Sequence, residues 1–273
     1  MAFNIMSVDE IPWEGGVEEE VCDEIINIDQ DAGYCTGAAV GYALEAMQYR
    51  EHGRMAKLSA VDLYNHNRQI DGLPPDVEGS TVWASAHTAK TVGAIYAYIV
   101  GNVKENMGLP KERTPSEKGI GKYNSVASYV RCHTLNDILI ALANKYPVVF
   151  GMAVFQSYAN APNGVVPVLM NGYLMGGHEM CALRYNRETR RIIGPQSWGI
   201  DLKYTDKRGY QQWPFEHFEP VWEGPNLKKT YIGDAYALLD FIPPGATRLP
   251  KTLNVLPDVI NITVNDVPVN LST

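Results

Sequence analysis

Residues 29–45 read DQDAGYCTGAAVGYALE, and the position of Cys35 in this stretch decides how the rest of the chain is read. A structural cysteine belongs inside an apolar run, as a small hydrophobe. Cys35 stands instead at the threshold of one. There the first turn of a helix offers unpaired N–H groups and a partial positive charge that favour a thiolate. From Cys35 to Tyr49 nearly every residue is small or apolar, apart from a polar stripe at Glu45, Gln48 and His52 that recurs at helical spacing. The pattern predicts a helix buried on most sides, central to its lobe and stopped by Gly53.

Helix signals continue through the first half. Ser59, with Asp62 three residues on, predicts the N-cap of a helix through Ile70 that Gly72, Pro74 and Pro75 terminate. Ser80 reads as the cap of a further helix with Val82, Ala86 and Ala89 inward. Thr134 reads as the cap of another, with Leu135, Ile138, Leu139 and Leu142 on one stripe. The second half changes period: residues 147–155 (PVVFGMAVF), 178–186 (HEMCALRYN), 190–198 (RRIIGPQSW) and 235–242 (AYALLDFI) read as strands. Helices first and strands later predict an α+β protein with segregated lobes. From Pro243 the chain reads as an extended linker. It ends in VINITVNDVPVNL, whose alternation around Asn265-Asp266 suits a terminal hairpin or an edge strand added to a partner.

The bulk numbers exclude several classes. A net charge of −8 over 273 residues, with no Lys/Arg block, argues against nucleic acid as a partner. No apolar stretch approaches the ~18 residues of a membrane span. The start lacks the basic and apolar regions of a secretory signal, so a cytoplasmic location is expected. Four irregularly spaced cysteines suit a reducing compartment. No repeat or nucleotide fingerprint is visible. Cys181 lies three residues after His178; on a strand that separation sends the two side chains to opposite faces, so no shared metal is expected. Cys132 and His133 read as structural, Cys22 as inert, and the acidic run 8–24 as a solvated N-terminal segment. No cofactor is expected.

Thiol catalysis needs a thiolate, a base that takes and returns the proton, a group that orients the base, and donors for an oxyanion. Candidates occur in a suggestive order: Cys35 at a helix start, His178 after Gly176-Gly177 at a strand start, then Gln196-Ser-Trp-Gly on the next strand. Adjacent antiparallel strands would place His178 beside Gln196, while the helical lobe presents Cys35 across a cleft.

This ordered set resembles the papain-like cysteine peptidases, particularly their short bacterial-type members. QDAGYCTGAAVGYALE resembles that family's Gln-Gly-x-x-Gly-x-Cys helix start, and GGHEMCALRYNRETRRIIGPQSWG its Gly-Gly-His…Asn-Ser-Trp-Gly block. KLSAVDLYNHNRQIDG, VEGSTVWASAHTAKTVGAI and RGYQQWPFEHF resemble the segments between and after. The likeness runs from about residue 25 to about 220. It implies a helical lobe (25–145) packed on an antiparallel β lobe (146–245) with the cleft between, flanked by an N-terminal segment (1–24) and a tail (246–273).

Carried over by position, the resemblance makes Cys35 the nucleophile and His178 the general base and acid. Gln196 takes the place of the family's His-orienting Asn, and Trp198 shields that hydrogen bond. Gln30 and the Cys35 N–H become the oxyanion donors, while Gly79 and Gly177 line the substrate path. Two departures follow. Gln30 precedes Cys35 by five residues where the family has six, so Asp29 holds the usual position, and Gln196 has one methylene more than Asn. The resemblance implies hydrolysis of peptide or protein substrates through a thioester. Its rivals are a catalytically silent structural or binding module, and acyl transfer or cell-wall amide hydrolysis by the same triad.

Overall fold

The computed structural model describes residues 10–74, 77–108, 110–219, 221–222, 228–229, 231–241, 263–264 and 267–268. Its first half runs β1 (Glu14–Gly16), α1 (Glu19–Glu24), α2 (Cys35–His52), α3 (Ala60–Asp71), α4 (Val82–Thr91) and α5 (Pro115–Tyr123). Then come β2 (Val126–Arg131), α6 (Leu135–Ala143), β3 (Val148–Phe155), β4 (Leu174–Ala182), β5 (Arg184–Asn186), β6 (Arg191–Pro195) and β7 (Tyr210–Pro214). Short strands β8 (Val221–Trp222) and β9 (Lys228–Lys229) precede β10 (Ile232–Phe241), β11 (Thr263–Val264) and β12 (Val267–Pro268). The antiparallel sheets have the orders β12-β11-β2-β10-β3-β4, β1-β5-β6-β7 and β8-β9. One apolar core lies under α2, α3 and α4, and a second lies within the strand-rich half, as expected of an α+β chain with two lobes.

Helix α2 ends where Gly53 turns left-handed (φ 64°) and returns its N–H to the Tyr49 carbonyl. It crosses α3 so closely that a Cβ on Gly37 would stand 1.8 Å from the Ala60 carbonyl oxygen. The polar stripe of α2 is not a wet face. Glu45 and Gln48 are buried: Glu45 accepts from the Leu58 N–H (2.9 Å) and from Lys57 Nζ (3.0 Å), and Gln48 Nε2 donates to Asn124 Oδ1 (2.5 Å). Buried polar groups are kept because each has a partner. Ser59 caps α3 as its spacing predicts, its hydroxyl accepting from the Asp62 N–H at 3.0 Å. The cap of α4 is Thr81 and not Ser80: Thr81 Oγ1 accepts from the Ala84 N–H, while Ser80 bonds Asp71. Thr134 and Asp137 close a capping box on α6.

The strand expected over 178–186 is two strands broken at Leu183. The Leu183 N–H leaves the larger sheet and donates to the Ile193 carbonyl (3.0 Å), so β4 and β5 belong to different sheets. At this crossing β6 passes so near β4 that a Cβ on Gly194 would meet the Cys181 carbonyl at 1.8 Å. The acidic N-terminal run is only partly solvated: β1 pairs with β5, and α1 buries Val21 and Cys22. At the other end β11 and β12 pair with each other and Val264 pairs with Val130 of β2. The expected linker at 243–257 lies outside the described residues. Among the described residues no helix is long and apolar enough to cross a membrane.

Candidate active site

Cys35 opens α2, the helix that packs on β4, and His178 lies in the middle of β4. Helix α2 packs on β4, which brings its tip to the histidine strand, and the backbone N–H of Glu179, the residue after His178, is placed to lower the Cys35 thiol's pKa. The N–H groups of Thr36 and of Cys35 itself act on the thiol in the same direction. Burial pushes the thiol pKa up, and these three N–H groups pull against it. Cys35 and Cys132 keep 9% and 8% of their surface, whereas Cys22 and Cys181 keep 1% and 0%. Burial likewise raises Cys22, to about 11, and Cys132 and Cys181 further. All four cysteines are free thiols.

His178 Nε2 lies 2.7 Å from Gln196 Oε1. The direction of this bond is set by a chain of donors that ends on a fixed group. Gln211 Nε2 donates to the Tyr204 backbone carbonyl (2.7 Å), which can only accept. Gln211 therefore presents Oε1 to Gln196, whose Nε2 donates to it at 2.9 Å and to the Tyr158 hydroxyl at 3.2 Å. That leaves Gln196 Oε1 as an acceptor, taken by the Ser197 N–H (2.7 Å) and by His178. The imidazole is thus the Nε2–H tautomer, with Nδ1 as the nitrogen that can take a proton. Burial holds the ring neutral by lowering its pKa to about 4, against the pull of Gln196. Trp198 lies over the ring in a stack, with centroids 4.9 Å apart.

His178 and Gln196 do not stand on neighbouring strands of one sheet. They meet because β4 and β6 cross where the chain changes sheets at Leu183.

The segment before Cys35 is pinned to the segment around Trp198. The Gln30 N–H donates to the Ser197 carbonyl (2.8 Å), the Gly199 N–H to the Ile28 carbonyl (3.0 Å), and Asp29 bridges Trp198. Along this short ladder the side chains alternate. Gln30 is half-buried, with Oε1 accepting from Ser197 Oγ (2.5 Å) and Nε2 donating to the Ala32 carbonyl (3.0 Å). Asp29 is exposed and lies against Gly199, so its carboxylate stays on the outer side of the ladder.

Gly177 is exposed, and no atom lies within 4 Å of where its Cβ would be. Gly79 adopts φ +97° with open space around its Cα, but both its backbone groups are engaged. Its N–H donates to Tyr64 Oη (3.2 Å), and its carbonyl accepts from Arg68 (2.8 Å). A peptide strand pairing with Gly79 would have to displace the tyrosine.

Sequence reasoning does not single out Glu179, whose side chain points from β4 to the opposite face from His178. Its carboxyl is 3% exposed, and Oε2 has no hydrogen-bond partner. Ser85 Oγ of α4 stands 2.6 Å from Glu179 Oε1 and 2.8 Å from the Val82 carbonyl. The hydroxyl has one proton for two oxygens, and burial raises the Glu179 pKa well above the usual carboxylate range. A protonated carboxyl resolves the count by donating to Ser85, which then donates to Val82. No negative charge then stands beside the Cys35 sulfur. Gln211 and Tyr158 are also unannounced. The only hint for Gln211 is an uncharged polar residue at a core position of the strand YQQWP. Among the described residues no cluster of three or more His, Cys, Asp or Glu could hold a metal ion.

No family model matches the chain. It is 24% identical over 253 residues to an uncharacterized peptidase C1-like protein of Acanthamoeba polyphaga mimivirus, covering 87% of this chain and 77% of that one. Among solved structures it superposes on xylellain, a cysteine protease from Xylella fastidiosa, with a TM-score of 0.67, at 17% identity and covering 87% and 90% of the two chains. It also superposes on procathepsin B from Trypanosoma congolense (TM-score 0.60, 16% identity, 89% and 79%). A third match is the bromelain protease of Ananas comosus solved with the E64 inhibitor (TM-score 0.57, 15%, 84% and 100%). The fold of the chain is papain-like.

Proposed function

We propose that the chain is a cysteine peptidase that hydrolyses peptide bonds in peptide or protein substrates through a thioester, with Cys35 as nucleophile and His178 as base and acid. The observation that carries this reading is the convergence at one crossing point of a helix-tip sulfur, the histidine strand and a tautomer-fixing amide. Burial of both groups favours a neutral thiol and imidazole at rest. Nδ1 then takes the thiol proton as the sulfur attacks the scissile carbonyl, and no preformed ion pair is needed. As the tetrahedral centre forms, the Cys35 N–H passes from the sulfur to the oxyanion. The second Nε2 hydrogen of Gln30 joins it, the first being held by Ala32. The imidazolium returns its proton to the leaving amine, and water hydrolyses the thioester with His178 again as base.

Gly177 offers an unobstructed backbone for an extended substrate. Gly79 fits that role only if the Tyr64 bond opens. The departures from the family's pattern are compatible with activity on this reading. Gln196 reaches His178 at ordinary hydrogen-bond distance, and Gln30 rather than Asp29 is the side chain turned inward. The test is peptide hydrolysis by the wild type and by Cys35→Ala. Loss of all turnover in the variant supports the reading, and equal turnover ends it. The rival, a silent binding module, draws on the engaged Gly79 and the raised Cys35 thiol. It predicts no turnover by the wild type and the same iodoacetamide reactivity at Cys35 with or without His178.

A further inference from the structure

Residues 147–177 contain no Asp, Glu, Lys, Arg or His, in a chain that is 20% charged overall. The first part of this stretch, β3, is mostly buried and has no use for charge. The last part is on the surface. Leu169 is 77% exposed and Tyr173 65%, and Leu174 and Met175 beside them are exposed too. A second short loop, after Trp198, exposes Ile200 and Leu202. Among the described residues, eight of the fourteen exposed large apolar side chains fall within 165–175 or 200–202. Single apolar residues on a surface need no explanation, but a concentration of them marks a surface that something covers.

The two loops are stitched to the same segment, 156–164. At one end of it the Gln156 N–H donates to the Tyr173 carbonyl (3.0 Å) and the Ser157 N–H to the Asn171 carbonyl (3.1 Å). At the other end the Ala161 N–H donates to the Lys203 carbonyl (2.8 Å) and the Asn163 N–H to the Leu202 carbonyl (2.9 Å). Val166 and Met170 anchor the longer loop in the core, and His217 Nε2 lies 2.9 and 3.1 Å from the carbonyls of Pro167 and Val168. The exposed side chains are carried on a backbone fixed in advance, which lowers the ordering cost of binding.

Both loops run into the candidate active site. Leu174 stands four residues before His178 on β4, about 13 Å away at the rise of a strand. Ile200 is two residues past Trp198, whose indole stacks on the imidazole. On the peptidase reading the acyl part of the substrate stays on Cys35, and His178 delivers a proton to the leaving nitrogen. The segment that departs therefore lies on the imidazole side. We propose that the loops 165–175 and 200–202 receive the substrate on the leaving side of the scissile bond and select large apolar side chains there. The proposal rests on the peptidase reading and adds the substrate preference of the same site. About four residues of extended chain span the distance from His178 to Leu174, so recognition falls on the first four residues after the bond. A charged side chain placed there would lose water and meet no opposite charge from 165–177.

The experiment is digestion of a random octapeptide library by the wild type and by a double variant, Leu174→Ser with Ile200→Ser, with the cut bonds identified by mass spectrometry. Both side chains are exposed, and the unfolding midpoint checks that the variant is intact. The readout is the rate of cutting bonds followed by apolar residues, divided by the rate for bonds followed by acidic ones. That ratio is internal to each protein, so a general loss of activity does not move it. A ratio of at least about tenfold in the wild type, falling below about threefold in the variant, supports the proposal. A wild type that cuts the library with a ratio near one overturns it and leaves the peptidase reading standing, as does the same ratio in both proteins. A wild type that cuts no peptide overturns both. Dimerisation in sedimentation, or co-sedimentation with phosphatidylcholine vesicles, lost in the variant while the ratio stays unchanged, also overturns the proposal by giving the surface to a second copy or to a membrane.

Discussion

Shortening Gln196 to asparagine, the residue that papain-like peptidases carry, should damage this protein rather than improve it. Removing one methylene withdraws the amide by about 1.5 Å, one C–C bond length. The present contact from His178 Nε2 to Oε1 is 2.7 Å, so a shortened amide would lie near 4 Å, beyond any hydrogen bond. The Ser197 N–H, 2.7 Å from the same oxygen, would lose its partner too, and Gln211 Oε1, 2.9 Å from Nε2, would keep only the Tyr158 hydroxyl. A buried donor left without an acceptor costs about 1–3 kcal/mol. Expressed in the transition state, where His178 must carry a positive charge, that is roughly a 5- to 150-fold fall in kcat/KM. The assay is steady-state hydrolysis of a fluorogenic peptide, paired with nitrogen NMR of the imidazole. The wild type should show Nε2 protonated and Nδ1 free, and the Gln196→Asn variant a mixture of tautomers. A variant with wild-type kcat/KM and a single unchanged tautomer would refute the argument that Gln211 and the Tyr204 carbonyl set the orientation.

Other expectations follow from the same geometry. Gln30→Ala should lower kcat by roughly a hundredfold with little change in KM, because an oxyanion donor is typically worth about 3 kcal/mol in the transition state only. Ser197→Ala, which frees the Gln30 amide, should give a smaller loss; equal losses in KM and kcat for Gln30→Ala would contradict this. Gly37→Ala should destabilise by about 3 kcal/mol or more in urea unfolding, since the new methyl group meets the Ala60 carbonyl and helices α2 and α3 must part. His217 is held near pKa 4 by burial, so between pH 6.5 and 4 the unfolded chain takes up a proton that the folded one refuses. Its contribution is complete above pH 6.5 and falls by about 3 kcal/mol as pH drops to 4. The stability gap between wild type and His217→Gln should therefore narrow over that window; parallel curves would count against it. Glu179 runs the other way. Its raised pKa makes the folded state the better proton binder above pH 4.5, so wild-type stability should decline with rising pH relative to Glu179→Gln.

The parts of the fold legible in the sequence are those set by local chemistry. A serine three residues before an aspartate is enough to cap α3, and a left-handed glycine after an apolar run is enough to end α2. His178 and Gln196 could be paired from their order along the chain, but not the route that brings them together. The sheet change at Leu183 depends on a close crossing that only Gly194 permits, and nothing local announces it. Ser80 and Thr81 are equally good caps on paper. Asp71 decides between them by engaging Ser80 from the end of α3. Helix α5 escapes notice because Gly119 and Gly121 dilute its helical character, although the Thr114–Glu117 capping box is legible in the sequence. The polar stripe of α2 looks solvent-facing until its partners, the Leu58 N–H and Asn124, arrive from elsewhere in the chain. For the same reason Glu179 and Gln211 are invisible as site residues. Their meaning lies in contacts with Ser85 and the Tyr204 carbonyl, which no spacing rule foretells.

The most direct test of the central claim is covalent labelling by a peptidyl epoxide, followed by mass spectrometry of the digested protein. One adduct should form, on the Cys35 peptide, and Cys22, Cys132 and Cys181 should stay unmodified. Labelling should fall by orders of magnitude in His178→Ala. Labelling that ignores the histidine, or that lands on another cysteine while Cys35 stays free, would contradict the assignment of a nucleophile at the tip of α2.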